Sequence, residues 1–148
     1  MPKILLIQGA NMAWLGRRQP EIYGTTTAAE LDSMLRDHAA RLGVDLDIFY
    51  SHIEGEAIAR LYQAVDDGVD GLVMNPAGFT HAGYALRDAI FGCTGLPYIE
   101  VHISNLETRG FRSVLAPAAI GSVAGFGLDS YRLGLEAMVA HLERKSKD

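Results

Sequence analysis

Two stretches of this sequence hold side chains suited to moving protons. The first reads Gly16-Arg17-Arg18-Gln19-Pro20-Glu21-Ile22-Tyr23-Gly24, with two arginines standing five and six residues ahead of a tyrosine. A guanidinium beside a phenol favours the phenolate, and each unit of lowering from about 10 corresponds to roughly 1.4 kcal/mol of preferential stabilisation. An arginine-assisted Tyr23 would therefore serve as a base near neutral pH. The bland alternative is a mobile surface loop whose arginines are solvated and whose Tyr23 packs on the body of the protein. The second stretch, Tyr98-Ile99-Glu100-Val101-His102-Ile103-Ser104-Asn105, alternates apolar and polar residues. Glu100 and His102 are two apart and so share one strand face. A carboxylate there would orient the imidazole and raise its pKa above about 6.5, which makes it an acid at physiological pH.

A third stretch, Asn75-Pro76-Ala77-Gly78-Phe79-Thr80-His81, leaves an apolar segment and runs towards a helical one. Asn75 and Thr80 are residue types that routinely perform turn and cap chemistry, and His81 at or near a helix start would donate to a ligand or be solvated. Spacing alone would also let His81, His102 and Glu100 share a metal, but no metal is expected. Gly121, Gly125 and Gly127 lack the GxGxxG spacing, and no Walker loop, HExxH motif or GxSxG elbow is present, so no cofactor is expected either. His38, His52 and His141 read as structural or solvated.

The elements that must position these residues alternate. Strand-like segments at residues 3–7, 44–50, 71–74, 98–102 and about 119–124 take turns with helical patterns. Thr27 and Glu30 have capping-box spacing ahead of apolar Leu31, Met34, Leu35, Ala39 and Leu42, with Gly43 as the stop. Ser51 and Glu54 repeat that start signal for a helix ending near Gly68, and further helices fit residues 82–92 and about 128–145. Near-continuous apolar strands such as ILLI and GLVM argue for a parallel sheet covered on both faces. The expectation is an α/β fold of the flavodoxin-like, doubly wound kind, five parallel strands in the order 2-1-3-4-5, with the site beyond their carboxyl ends. The loops at residues 8–24, 75–81 and 102–118 leave those ends and hold most of the distinctive polar residues. The first and last are longer than a βα turn needs, and residues 17–24 read as a lid.

At 148 residues one domain is expected, burying roughly 70% of the surface its unfolded chain exposes. A net charge of −5 without any basic stripe excludes the electrostatic footprint of a nucleic-acid binder. No apolar run reaches the roughly 20 residues of a membrane helix, and the N-terminus turns glycine-rich too early for a signal peptide, so a soluble cytoplasmic protein is expected. Cys93 is the one cysteine, which rules out a disulfide framework within the chain and reads as buried packing.

Taken in order, Arg17-Arg18-Gln19-Pro20-Glu21-Ile22-Tyr23-Gly24, Asn75-Pro76-Ala77-Gly78-Phe79-Thr80-His81 with Ala85-Leu86-Arg87-Asp88-Ala89, and Ile99-Glu100-Val101-His102-Ile103-Ser104-Asn105 closely resemble the type II 3-dehydroquinate dehydratases over nearly the full length. The resemblance implies loss of water from 3-dehydroquinate to give 3-dehydroshikimate through an enolate, with no metal or cofactor. It implies Tyr23 as base with Arg18 beside it, His102 as acid supported by Glu100, and Asn11 as holder of the water that stabilises the enolate. Asn75 and the backbone amides of Ile103 and Ser104 match the carboxylate site, and His81 and Arg112 match the hydroxyl-binding positions. Asp88 matches a residue that reaches a neighbouring subunit's site in a dodecamer built from trimers. The chain departs from the family pattern at Gln8, Ala10, Met12, Ala13 and Trp14, and again where Glu107 stands in a segment one residue shorter. Those departures leave room for a related cyclic polyol acid as substrate. A flavodoxin-like module that only binds a ligand or partner is the competing reading.

Overall fold

The computed structural model describes residues 1–148. Strands β1 (Lys3–Ala10), β2 (Asp45–Tyr50), β3 (Gly71–Ala77), β4 (Tyr98–His102) and β5 (Gly121–Ala124) form one parallel sheet in the order β2-β1-β3-β4-β5. The connections carry helices α1 (Pro20–Tyr23), α2 (Ala28–Leu42), α3 (Glu54–Asp66), α4 (Tyr84–Gly92) and α5 (Asp129–Ser146). The flavodoxin-like order expected from the sequence is the one observed.

Strand alternation divides the core into two layers. Ile4 and Leu6 of β1, with Val73, Ile99 and Val101, pack against Leu31 and Leu35 of α2 and Leu135 and Met138 of α5. Leu5 and Ile7, with Leu72, Met74 and Tyr98, face Ala57 and Leu61 of α3 and Leu86 and Ile90 of α4. All four apolar residues of the ILLI run are thus buried, two on each face. Each such side chain contributes about 1.5–3 kcal/mol on leaving water. Because β4 alternates too, Tyr98, Glu100 and His102 point to the α3–α4 side while Ile99, Val101 and Ile103 point to the α2–α5 side.

Some local signals form as their spacing predicts, and others give way to tertiary contacts. The capping box of α2 forms: Thr27 Oγ1 accepts from the Glu30 amide, Glu30 Oε1 accepts from the Thr27 amide, and Gly43 closes the helix at φ 73°. Met34 is half exposed, and His38 takes its place on the buried face, 3.3 Å from Glu136 of α5. The Ser51–Glu54 box does not form, because α3 starts two residues later than that spacing requires, with Ile53 at the cap. Ser51 Oγ instead accepts from the Ile53 amide and pairs with Glu56. Glu54 is thereby freed to accept from the Leu86 amide at 2.9 Å, which caps α4 from outside, since that helix has no side-chain cap of its own. Pairing with neighbouring strands carries β1 on to Ala10 and β3 on to Ala77, past the expected ends at residues 7 and 74. The last strand, expected from about residue 119, begins at Gly121 after a short 3-10 turn at Ala116–Ala118. No helix is long and apolar enough to cross a membrane.

Candidate active site

The extension of β1 to Ala10 and of β3 to Ala77, three residues beyond the expected end of each, decides where the cleft lies. The two strands run side by side to Ala10 and Ala77, so the loops that follow diverge from a common point and leave a gap between them. Two glycines permit this closeness. A Cβ on Gly9 would lie 2.0 Å from the Pro76 carbonyl oxygen, and one on Gly78 would lie 2.7 Å from Ala10 Cβ and 3.2 Å from Asn11 Nδ2. Asn11 turns the chain out of the sheet with φ 79°, a left-handed conformation that asparagine tolerates better than most residues. Its amide is held by His52 Nδ1 at 2.9 Å, which gives a structural task to a histidine expected to be structural or solvated.

Asn75 sits in β3 opposite Gln8 and is 4% exposed. Its Oδ1 accepts from the Ala77 amide at 3.0 Å, the turn chemistry expected of its type. Its Nδ2 donates to Tyr131 Oη at 2.8 Å, and the Tyr131 hydroxyl in turn donates to Gln8 Oε1 at 2.7 Å. Full burial of Tyr131 in α5 pushes its phenol well above the usual value, so the hydroxyl keeps its proton and the direction of both bonds is fixed. The orientation of the Asn75 amide is therefore set by residues from β1 and α5.

Tyr23, at the end of α1, is flanked by two guanidinium groups. Arg18 lies over its ring at 5.0 Å from the centroid. Arg109 reaches it from the loop after β4, donating Nη1 to the Tyr23 oxygen at 3.3 Å and to Ser104 Oγ at 2.8 Å, while stacking on Phe111 at 4.7 Å. Phe111 also packs edge-on against His81 at 4.8 Å. A side chain 86 positions away thus supplies a contact to the Tyr23 oxygen that the expected partner, Arg18, does not make.

Glu100 and His102 meet as their spacing predicts: Nε2 of the imidazole is 2.8 Å from Glu100 Oε2. Both are nearly buried, at 1% and 5% exposure. A buried carboxylate costs several kcal/mol unless its oxygens are satisfied. Here Oε1 accepts from Tyr98 Oη at 2.7 Å and Ser113 Oγ at 3.0 Å, and Oε2 accepts from the imidazole. The imidazole N–H therefore points to Glu100, and the other ring nitrogen is left for the cleft.

These groups surround a cleft of about 260 Å³, lined by Asn11, Arg18, Tyr23, Asn75, His81, His102, Ile103 and Ser104 of the sequence-derived set, together with Arg109. Two arginines and two histidines face it and no carboxylate lines it, so its field suits an anion. The volume suits a small molecule. Glu100 lies behind His102, on the wall shared with a neighbouring hollow of about 640 Å³. Arg112 lines that hollow, on the far side of Glu100 and His102, and does not line the cleft. Asp88 stands on α4 with its side chain 77% exposed, 3.9 Å from Arg87, and does not line the cleft of its own chain. His81 lies in the turn that leads into α4, two residues before its N-cap Gly83, near the helix start as expected. His81, His102 and Glu100 do not gather into a metal-binding trio.

Arg109, Tyr131 and Gln8 were missed by reading the sequence. Arg109 carries a weak signal, an arginine in a loop already marked as functional. Tyr131 carries none, since a tyrosine in an amphipathic C-terminal helix is ordinary core.

A model of the family described as dehydroquinase class II matches residues 2–139. A 3-dehydroquinate dehydratase of Xanthomonas campestris pv. campestris (strain 8004) is 47% identical over 149 residues, covering 99% of this chain and 100% of that one. Another, from Desulforudis audaxviator (strain MP104C), is 46% identical over 145 residues and covers 96% and 95%. Among solved structures, the type II dehydroquinase from Butyrivibrio crossotus DSM 2876 superposes with a TM-score of 0.88 at 35% identity, covering 93% of this chain and 97% of that one. A 3-dehydroquinate dehydratase-like protein from Bifidobacterium longum gives 0.73 at 30% identity, covering 97% and 99%.

Proposed function

The chain belongs to the class II dehydroquinase family, and from that premise we propose that its cleft removes water from 3-dehydroquinate, with Tyr23 as base and His102 as acid. The observation that carries the reading is that both side chains line one small cleft without carboxylates, each braced by charged partners.

Tyr23, as phenolate beside Arg18 and Arg109, takes the proton next to the ketone, and the electron pair moves onto the carbonyl oxygen to give an enolate. Asn11 holds a water against that oxygen. Collapse of the enolate breaks the bond to the hydroxyl, which leaves with a proton from His102 as water. Glu100 stabilises the imidazolium until that transfer. The proton on Tyr23 then returns to solvent and His102 is reprotonated. Asn75 and the amides of Ile103 and Ser104, just past the carboxyl end of β4, bind the substrate carboxylate. His81 receives a ring hydroxyl, and Arg109 holds Ser104 and Tyr23 in register. Arg112 would reach the ring hydroxyls only by crossing from the adjoining hollow. Asp88 projects from α4 towards the cleft of a neighbouring subunit, in an assembly of trimers.

Incubating purified protein with 3-dehydroquinate and following ultraviolet absorbance tests the reading, because the product is a conjugated enone and the substrate is not. A rising absorbance that needs both Tyr23 and His102 is the expected result. No turnover in the native chain would overturn it in favour of a binding module, and turnover of a different cyclic polyol acid alone would move the substrate assignment.

A further inference from the structure

Tyr98 is the residue at the acid end of the cleft to which the reaction described above gives no task. It is 1% exposed, yet its ring does not merely fill the α3–α4 layer. Positions 98, 100 and 102 project from the same face of β4, so the Tyr98 hydroxyl, the Glu100 carboxylate and the His102 imidazole stand in a row. The row is closed by hydrogen bonds of 2.7 and 2.8 Å, and it is joined by Ser113 at 3.0 Å. Each donor's direction is settled. Burial, and then the adjacent Glu100, push the Tyr98 phenol far above its usual range, so it remains an O–H donor. Ser113 Oγ already accepts from the Leu115 amide at 3.1 Å and gives its own proton to Glu100. Oε1 therefore receives two neutral donors while Oε2 faces the histidine.

We propose that Tyr98 is a positioning residue for the acid: its O–H, seconded by Ser113, holds Glu100 in line with His102 and limits how tightly the carboxylate retains the histidine's proton. A carboxylate with no other donors concentrates its charge on the imidazolium and makes it a reluctant acid. Donors on the opposite oxygen draw part of that charge away. Two neutral donors do this without adding a charge to a buried site, which a lysine or arginine in their place would do. The other charged and titratable groups facing His102 are His81 from the turn before α4, Arg18 and Tyr23 from the segment after β1, Arg109 from the loop after β4, and Glu107 and Arg112 across the adjoining hollow. None of them bonds to Glu100, so removing the Tyr98 hydroxyl acts on the dyad alone.

The inference rests on His102 acting as the acid, and the test separates the two claims. In Tyr98→Phe, and separately in Ser113→Ala, the protonation of His102 is followed by NMR on protein labelled at histidine Cε1, with the signal assigned through His102→Gln. Turnover is measured in parallel across pH. Both variants should move the His102 midpoint upward, by about half a unit to one unit for Tyr98→Phe and less for Ser113→Ala. The alkaline limb of kcat/KM should move with it, kcat should fall about 3- to 30-fold, and KM should stay within about twofold. A His102 midpoint that stays put or moves down in both variants overturns the proposal, even if thermal stability falls, since that is the pattern of a packing role. A midpoint that moves up while the native chain turns nothing over upholds the role of Tyr98 and sinks the functional reading instead.

Discussion

Replacing Tyr131 by phenylalanine removes one oxygen atom from a fully buried position and should weaken both the fold and the cleft. Gln8 Oε1 would lose its 2.7 Å donor, and Asn75 Nδ2 would lose its 2.8 Å acceptor, keeping only a sulfur contact to Met12 at 3.5 Å. A buried donor or acceptor left unsatisfied costs about 1–3 kcal/mol. The Met12 contact places Asn75 at the low end of that range and Gln8 in its middle, and the more apolar ring offsets part of the sum. A net loss of about 2–3 kcal/mol follows, a large share of the roughly 5–15 kcal/mol that holds a domain folded. At this chain length each kcal/mol moves Tm by roughly 2–4 °C, so a fall of roughly 4–12 °C is expected. Calorimetry or fluorescence melts at one fixed protomer concentration would measure it, because any self-association makes Tm depend on concentration. Asn75 keeps its bond to the Ala77 amide, so its amide should remain near the cleft but turn more freely. The hypothesis is therefore a KM for 3-dehydroquinate raised about 3- to 10-fold with kcat much less affected. A melt within about 1 °C of the native protein would show that the Gln8–Tyr131–Asn75 chain does not make the stabilising contribution assigned to it. A fall in kcat at unchanged KM would refute the placement of Asn75 on the binding side of the reaction.

Tyr23→Phe is expected to lose nearly all turnover with ligand affinity little changed, because only the proton acceptor is removed; retained turnover would exclude Tyr23 as the base. Arg109→Ala is expected to depress kcat at least as much as Arg18→Ala, since Arg109 bonds to the Tyr23 oxygen and Arg18 lies over the ring; a variant with native kcat would reduce Arg109 to a packing contact. Stability should decline at alkaline pH: Tyr50, Tyr98 and Tyr131 all have phenols raised by burial. Groups raised in the folded state stabilise it fully below their unfolded value of about 10 and lose that contribution as pH rises. Melts between pH 9 and 11.5 should show the decline, and a flat profile would contradict the burial of these hydroxyls. Mixing Tyr23→Phe with Asp88→Ala subunits after dissociation and reassembly should restore activity to about one quarter of sites, the independent half chances expected of a closed ring in which each site borrows Asp88. Full activity of Asp88→Ala alone, or no recovery in the mixture, would return Asp88 to its surface contact with Arg87.

Much of this protein is determined by short-range pattern in the sequence. The ILLI and GLVM runs require a sheet buried on both faces, and the Thr27–Glu30 box with Gly43 bounds α2 to the residue. Glu100 and His102 had to share a face because strand side chains alternate, so their contact could be read two positions apart on the page. What the sequence left undecided depends on partners brought from far along the chain. Whether Ser51 and Glu54 form a box was decided by the docking of α3 against α4, which gave Glu54 a better partner in the Leu86 amide. Met34 and His38 are both at helix positions that periodicity allows to be buried, and only the approach of α5 with Glu136 put the histidine inward. The cleft is the clearest case. Its residues come from β3, β4 and the segments after β1, β3 and β4, and nothing local says whether Arg109 or Arg112 turns inward. That choice belongs to the tertiary structure, because a side chain's direction in an irregular loop is set by the distant groups it meets, here Ser104, Phe111 and Tyr23, and by no period in its own segment.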